Sequence, residues 1–233
     1  GILNMSNTGI ASVINKGTIT LHAFTVSGSA INIQPQTSGT SFFTNEGTIT
    51  ADGSWATGAL YMNGNNAACT ATLENKSAAV LSLTNSNSGD PGGSAIRASI
   101  TPTNNIVNYG TITLSVNAAT RAMYLGDNST EFKNFGTLTT NNAITGNDAT
   151  NAGVFNNYAE GVVNFNLSGD MSVAVSSNKK IIFNNYGTIT GKGVLASGMF
   201  KSLTGTINPG IGTGTGIFRI YDTSYTLTGK CIM

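Results

Sequence analysis

The chain has 233 residues, of which 9% are charged and 39% hydrophobic, with a formal net charge of +1. An ordinary soluble domain is about 25% charged, and so few cations exclude an electrostatically driven nucleic-acid partner or a basic membrane-surface face. The hydrophobic share is more than a disordered Gly/Asn/Ser/Thr tract would carry, and no run of about 18 apolar residues exists to span a bilayer as a helix.

The chain opens GILNMSNTG, with neither an initiator Met nor a charged leader, and reads as a piece of a longer or processed precursor. NKGTIT at 15–20 is then the first of five near-identical hexapeptides, followed by NEGTIT at 45–50, NYGTIT at 108–113, NFGTLT at 134–139 and NYGTIT at 185–190. Two diverged copies fill the gaps, NKSAAVLSL from Asn75 and NYAEGVVNF from Asn157. The Asn positions are therefore Asn15, Asn45, Asn75, Asn108, Asn134, Asn157 and Asn185, with steps from 23 (Asn134 to Asn157) to 33 (Asn75 to Asn108). A period of this size that wanders by several residues predicts a solenoid whose coils stack while their loops vary in length.

Each repeat contains three short segments with period-two alternation. Before the Asn, large apolar residues at Phe43, Leu73, Ile106, Phe132, Phe155 and Phe183 alternate with mostly polar Thr44, Glu74, Val107, Lys133, Asn156 and Asn184. The Thr-Ile-Thr segment puts Ile19, Ile49, Ile112, Leu138 and Ile189 on one face between two Thr. After a variable loop comes AINI (30–33), ALYM (59–62), AIRA (95–98), AMYL (122–125), AIT (143–145), VAV (173–175) or VLA (194–196). In this third segment Ile31/Ile33, Leu60/Met62 and Met123/Leu125 share a face, with Asn32, Tyr61, Arg97 and Tyr124 opposite.

Three half-buried strands per repeat predict an all-β, parallel, right-handed β-helix (β-solenoid) of about eight coils, each strand pairing with its equivalent about 4.8 Å along the axis. No segment has sustained 3.6-residue periodicity, and Thr, Val, Ile and Gly stand where a helix would favour Ala, Leu, Glu and Lys. The hexapeptide is a corner and the strand that leaves it. Its Asn has inward parity and can bond the next coil's Asn and buried turn backbone. Its Gly is expected to supply the positive φ of a sharp corner. The repeat array is expected over 1–210, with 211–233 as a strand-rich end of the same solenoid.

The recurring Asn-x-Gly-Thr-Ile-Thr resembles the passenger repeats of bacterial autotransporter adhesins and related β-helical surface proteins. LTGTINPGIGTGTG (203–216) resembles the Gly-Thr-x-x-Pro-Gly segment found where such passengers lead to their outer-membrane barrel. The resemblance implies the fold, export to the cell surface of a bacterium and adhesion to a host or neighbouring cell, through glycan or protein. The expected function is thus a non-catalytic extracellular adhesin or stalk segment. The alternative is a structural subunit that polymerises end to end through open β-helix edges.

The free second letter of the hexapeptide runs Lys16, Glu46, Lys76, Tyr109, Phe135, Tyr158, Tyr186. The first three alternate in sign and predict an exposed ionic ladder. The last four predict an aromatic stripe that either stacks on itself or offers a partner-binding platform, extended by Tyr61 and Tyr124 from the third segment. The acids fall in different coils, so a carbohydrate-cleaving pair on this fold would have to assemble across coils. Asp127 and Glu131 with Arg97 and Arg121 are the candidates. The outward Thr files of an ice-binding face break at the repeats of Asn75 and Asn157, where Ala, Val and Asn replace Thr. His22 is the single histidine and is expected at the surface or in a loop, so no metal or cofactor is expected. Cys69 and Cys231 lie several coils apart, too far for an intrachain disulfide, which needs Cα atoms within about 7 Å.

Overall fold

The computed structural model describes residues 3–89, 93–99, 103–117, 121–126, 129–146, 152–168, 173–175, 181–195, 200–202, 204–210, 217–220, 226–227 and 229–231. These residues contain no helix and form three parallel sheets of nine strands each. Sheet I runs from Leu3–Asn7 to Phe218–Ile220, sheet II from Ile10–Asn15 to Thr226–Leu227 and sheet III from Thr18–Val26 to Lys230–Cys231. Successive strands in the chain fall in sheets I, II and III in turn, so each coil adds one rung to every sheet. The chain is a β-solenoid with close to the about eight coils that the repeat predicts. At about 4.8 Å per rung the stack is about 40 Å long, and the sheets continue past residue 210 with the same order.

The register follows the repeat. In sheet II the inward apolar file is Val13, Phe43, Leu73, Ile106, Phe132, Phe155 and Phe183. From Phe43 onward each is fully buried. The rings of Phe132, Phe155 and Phe183 stack with centroids 4.8 and 4.4 Å apart. Sheet III adds Ile49, Leu81, Ile112, Leu138, Val163, Ile189 and Ile207, and sheet I adds Ile31, Leu60, Ile96, Met123 and Ile144. β-Branched and aromatic side chains fit this pleated, one-sided surface, which is why the sequence alternates as it does.

The seven Asn form one continuous internal ladder. Each Nδ2 up to that of Asn157 donates to the Oδ1 of the Asn one coil along, at 2.8 Å for Asn15–Asn45 and 2.9 Å for Asn75–Asn108. The intervening and later links are all 2.8 Å. The same Nδ2 also reaches backbone carbonyls at the corner, as Asn134 does to Gly136 and Val162 at 3.1 and 3.2 Å. These bonds satisfy corner carbonyls that point inward, where an unpaired polar group costs about 1–3 kcal/mol.

The corner glycine has a different reason from the expected one. Gly17, Gly47, Gly110, Gly136 and Gly187 are not among the residues with positive φ. All but Gly17 are required by stacking, because a Cβ at Gly136 would run into the carbonyl of Gly110 and one at Gly187 into those of Gly161 and Tyr158. A Cβ at Gly17, in contrast, meets nothing within 4 Å. Gly136→Ala is therefore expected to cost about 1–3 kcal/mol by forcing adjacent corners apart, whereas Gly17→Ala should leave the urea midpoint nearly unchanged. Equal midpoints for the two variants would refute the stacking argument.

The diverged copies differ by insertion. Val80 pairs with Thr48 and Thr111, and Val162 with Thr137 and Thr188, so the corners after Asn75 and Asn157 are two residues longer than the others. Ala78 in the first of these has φ 64°. The outward Thr files are thus broken by Val80 and Ser82 in one coil and Val162 and Asn164 in the other, and Ala takes no part. Cys69 is free and fully buried just before the third strand of sheet II, while Cys231 lies in the ninth strand of sheet III, six rungs away.

Candidate functional site

The stripe Tyr109, Phe135, Tyr158 and Tyr186 occupies the corner between sheets II and III. Its register comes from the backbone. The amide of each residue donates to the carbonyl of the Asn one coil back, at 2.8 Å from Tyr109 to Asn75, Phe135 to Asn108 and Tyr158 to Asn134, and at 2.7 Å from Tyr186 to Asn157. With Cα positions locked in line, the rings stack: centroids are 5.0, 4.3 and 6.2 Å apart along the file and interplanar angles do not exceed 19°. The ring faces therefore cover one another, and the file turns edges and three phenol hydroxyls outward. Tyr109 is 44% exposed and the other three are half-buried. The flat platform for a sugar ring is taken up by ring-on-ring packing; what remains is an amphipathic ridge across four coils.

Below the stripe the ionic ladder is partial. Lys16 Nζ lies 3.9 Å from Glu46, but Lys76 turns to Glu74 of its own coil at 2.7 Å. That hydrogen bond is the main reason the Lys76 ammonium is held above its ordinary range, with Glu46 only a distant contributor.

Tyr61 and Tyr124 do not extend the corner stripe. They lie on the outward face of sheet I, in register with Arg97 between them and with Asn32 and Thr145 beyond, giving the file Asn32–Tyr61–Arg97–Tyr124–Thr145. The Arg97 guanidinium sits over the Tyr61 ring at 5.0 Å and that of Arg121 over Tyr124 at 5.3 Å. Sequence reading missed what sets this file apart. Asn32 Oδ1, Arg97 Nε and Thr145 Oγ1 are buried atoms with no hydrogen-bond partner. Nothing in a single sequence separates them from other outward positions.

The proposed acid–arginine cluster does not assemble as expected. Asp127 lies outside the described residues. Glu131 is on sheet II, bound to Lys133 at 3.1 Å and to Asn156 at 2.8 Å, whereas Arg97 is on sheet I. His22 is an outward strand residue hydrogen-bonded to Asp52 on the next coil. Among the described residues no three His, Cys, Asp or Glu side chains are grouped to hold a metal ion. A small apolar surface on sheet II also escaped sequence reading: Ile10 and Ile14 flank Ser12, and Phe42 pairs with Ser12 from the next coil. Phe42 was overshadowed by its inward neighbour Phe43. Comparison with protein-family models, with curated proteins and with solved structures finds no match to this chain.

Proposed function

We propose that the chain is a segment of a non-catalytic, extracellular surface rod, an adhesin or stalk, that meets a partner laterally along the Tyr109–Tyr186 ridge. The observation that supports it best is the ridge itself. The interior is filled without these rings, yet four consecutive coils place aromatic side chains outward at one corner in a chain with few charges. Tyrosine edges and hydroxyls combine apolar area with hydrogen bonding at low entropic cost, which suits them to contact surfaces. The resemblance of the hexapeptides to autotransporter passenger repeats supports a place on the bacterial cell surface, with a host or neighbouring cell as partner.

The test is the double variant Tyr158→Ser/Tyr186→Ser. It should lose binding to cells or immobilised glycoprotein while folding as the parent does, since exposed cross-strand aromatic pairs contribute only about 1 kcal/mol or less each. Cell adhesion and urea denaturation measured together decide it: unchanged adhesion sinks the reading, and so does a collapse of the fold. If the parent self-associates on a sizing column as concentration rises and the variant does not, the partner is a second copy and the filament reading replaces the adhesin.

A further inference from the structure

We propose that the outward file Asn32–Tyr61–Arg97–Tyr124–Thr145 on sheet I is a binding site for an acidic polysaccharide lying along the rod axis. The file is on a different face from the corner ridge, so the proposal stands whether or not that ridge binds a partner.

Among the described residues, three buried side-chain atoms without a hydrogen-bond partner fall in this one file, at Asn32 Oδ1, Arg97 Nε and Thr145 Oγ1. Buried polar groups are ordinarily paired, and a cluster that is not needs an explanation. Arg97 is unusual in a second way. Lys16, Lys76 and Lys133 each have a carboxylate within ion-pair distance, while no carboxylate among the described residues pairs with Arg97. Its guanidinium instead rests on the Tyr61 ring, a contact that orients the planar fork without using its N–H donors. Gly58, at φ 118°, passes close beneath it: a Cβ there would lie 3.2 Å from the Arg97 Cβ, so the base of the side chain is fitted to a bare backbone.

A planar fork with unmet donors matches a carboxylate or sulfate, which it can take in two parallel hydrogen bonds. Unmet groups alternate with tyrosines, so they recur every second coil, about 9.6 Å apart at about 4.8 Å per rung. An extended peptide offers same-side groups about every 6.6 Å, out of step with this file. A linear sugar polymer with an acidic group in its repeat has flat rings for the exposed parts of the tyrosines, hydroxyls for Asn32, and an anion for Arg97. Asn32, Tyr61, Arg97 and Tyr124 are each half-buried, so their outer parts face such a polymer, whereas Thr145 is 4% exposed and lies beneath the surface it would follow.

Polygalacturonate, carboxylated, and dextran sulfate are the two probes, with uncharged dextran as control and poly-glutamate as the peptide arm, each titrated calorimetrically into the full chain. At least one acidic polysaccharide should bind and dextran should not, and whichever binds distinguishes carboxylate from sulfate. Arg97→Gln should weaken that binding roughly tenfold or more with an unchanged urea midpoint, and Tyr158→Ser/Tyr186→Ser should leave it unaltered. The proposal is overturned if neither polymer binds, if Arg97→Gln binds as the parent does, or if poly-glutamate binds equally well and is lost in the same variant. Should Arg97→Gln itself fall in stability, Tyr61→Ser decides, and retained binding in that variant overturns the proposal.

Discussion

Phe155→Ala should destabilise the stack by about 3–5 kcal/mol, the range for emptying a buried aromatic site. Phe155 is fully buried and stacked on both sides, against Phe132 at 4.8 Å and Phe183 at 4.4 Å, so the cavity opens between two rings that the sheet backbone keeps from closing together. Phe155→Leu should cost far less, about 1–2 kcal/mol, because Leu73 and Ile106 already serve in the same file. The position also matters. In a quasi-one-dimensional array each coil is stabilised by its neighbours, and weakening a middle interface uncouples the two halves. Urea unfolding of Phe155→Ala followed by circular dichroism should thus show both a lower midpoint and a broader or two-step transition. A sharp transition within about 1 kcal/mol of the parent would contradict the interior file.

A still larger effect is expected from Asn134→Asp. Asn134 is fully buried, accepts from Asn108 and donates to Asn157, Gly136 and Val162. A carboxylate can accept but not donate, so three acceptors would face it unpaired at about 1–3 kcal/mol each, before the cost of burying the charge. The sum approaches the whole stability of an ordinary domain, about 5–15 kcal/mol, and the variant should not fold stably at neutral pH. Asn134→Ala, which leaves the same acceptors unpaired but adds no charge, should lose less than Asp, though at least about 3 kcal/mol. Burial raises the native pKa of the introduced carboxyl above its unfolded value of about 3.9. The deficit against the parent is therefore smallest below that unfolded value and grows as pH rises toward the raised native one. Parent and variant midpoints compared between acid and neutral pH check this; a gap that widens on acidification would be the wrong sign.

The solenoid was legible because its code is local and repeated. Period-two alternation marks Phe43, Leu73 and Ile106 as inward, and seven aligned Asn mark one corner whose pairing partner is the same residue one coil on. What was not legible depends on the neighbouring coil. The corner Gly looked like a φ requirement, whereas Gly136 is needed because the Gly110 carbonyl lies where a Cβ would go. The two-residue insertions after Asn75 and Asn157 could not be placed without register, so the residues breaking the Thr files were misassigned. Lys76 was matched with Glu46 on sign alone, whereas its ammonium pairs with Glu74 of its own coil. At the candidate sites the ring stacking of Tyr109 through Tyr186 followed from coil spacing. The separation of Tyr61 and Tyr124 onto another face, and the unmet atoms around Arg97, required side-chain positions.

The Asn ladder has one more property. Every link points the same way, from the Nδ2 of one coil to the Oδ1 of the next, and beyond Asn185 the last donation goes to Ser202 Oγ at 3.2 Å. The direction is not arbitrary, since each Nδ2 also faces corner carbonyls that can only accept, as at Thr111 for Asn75 and Thr188 for Asn157. The amide dipoles thus add head to tail along the axis and polarise one another. The ladder itself ends differently on its two sides: at Asn15 it begins with an oxygen that accepts from the Gly17 amide, and past Ser202 it gives way to Leu227 on the ninth rung. Along Asn15 to Ser202 the ladder therefore has one sense only and admits no twofold axis across the rod.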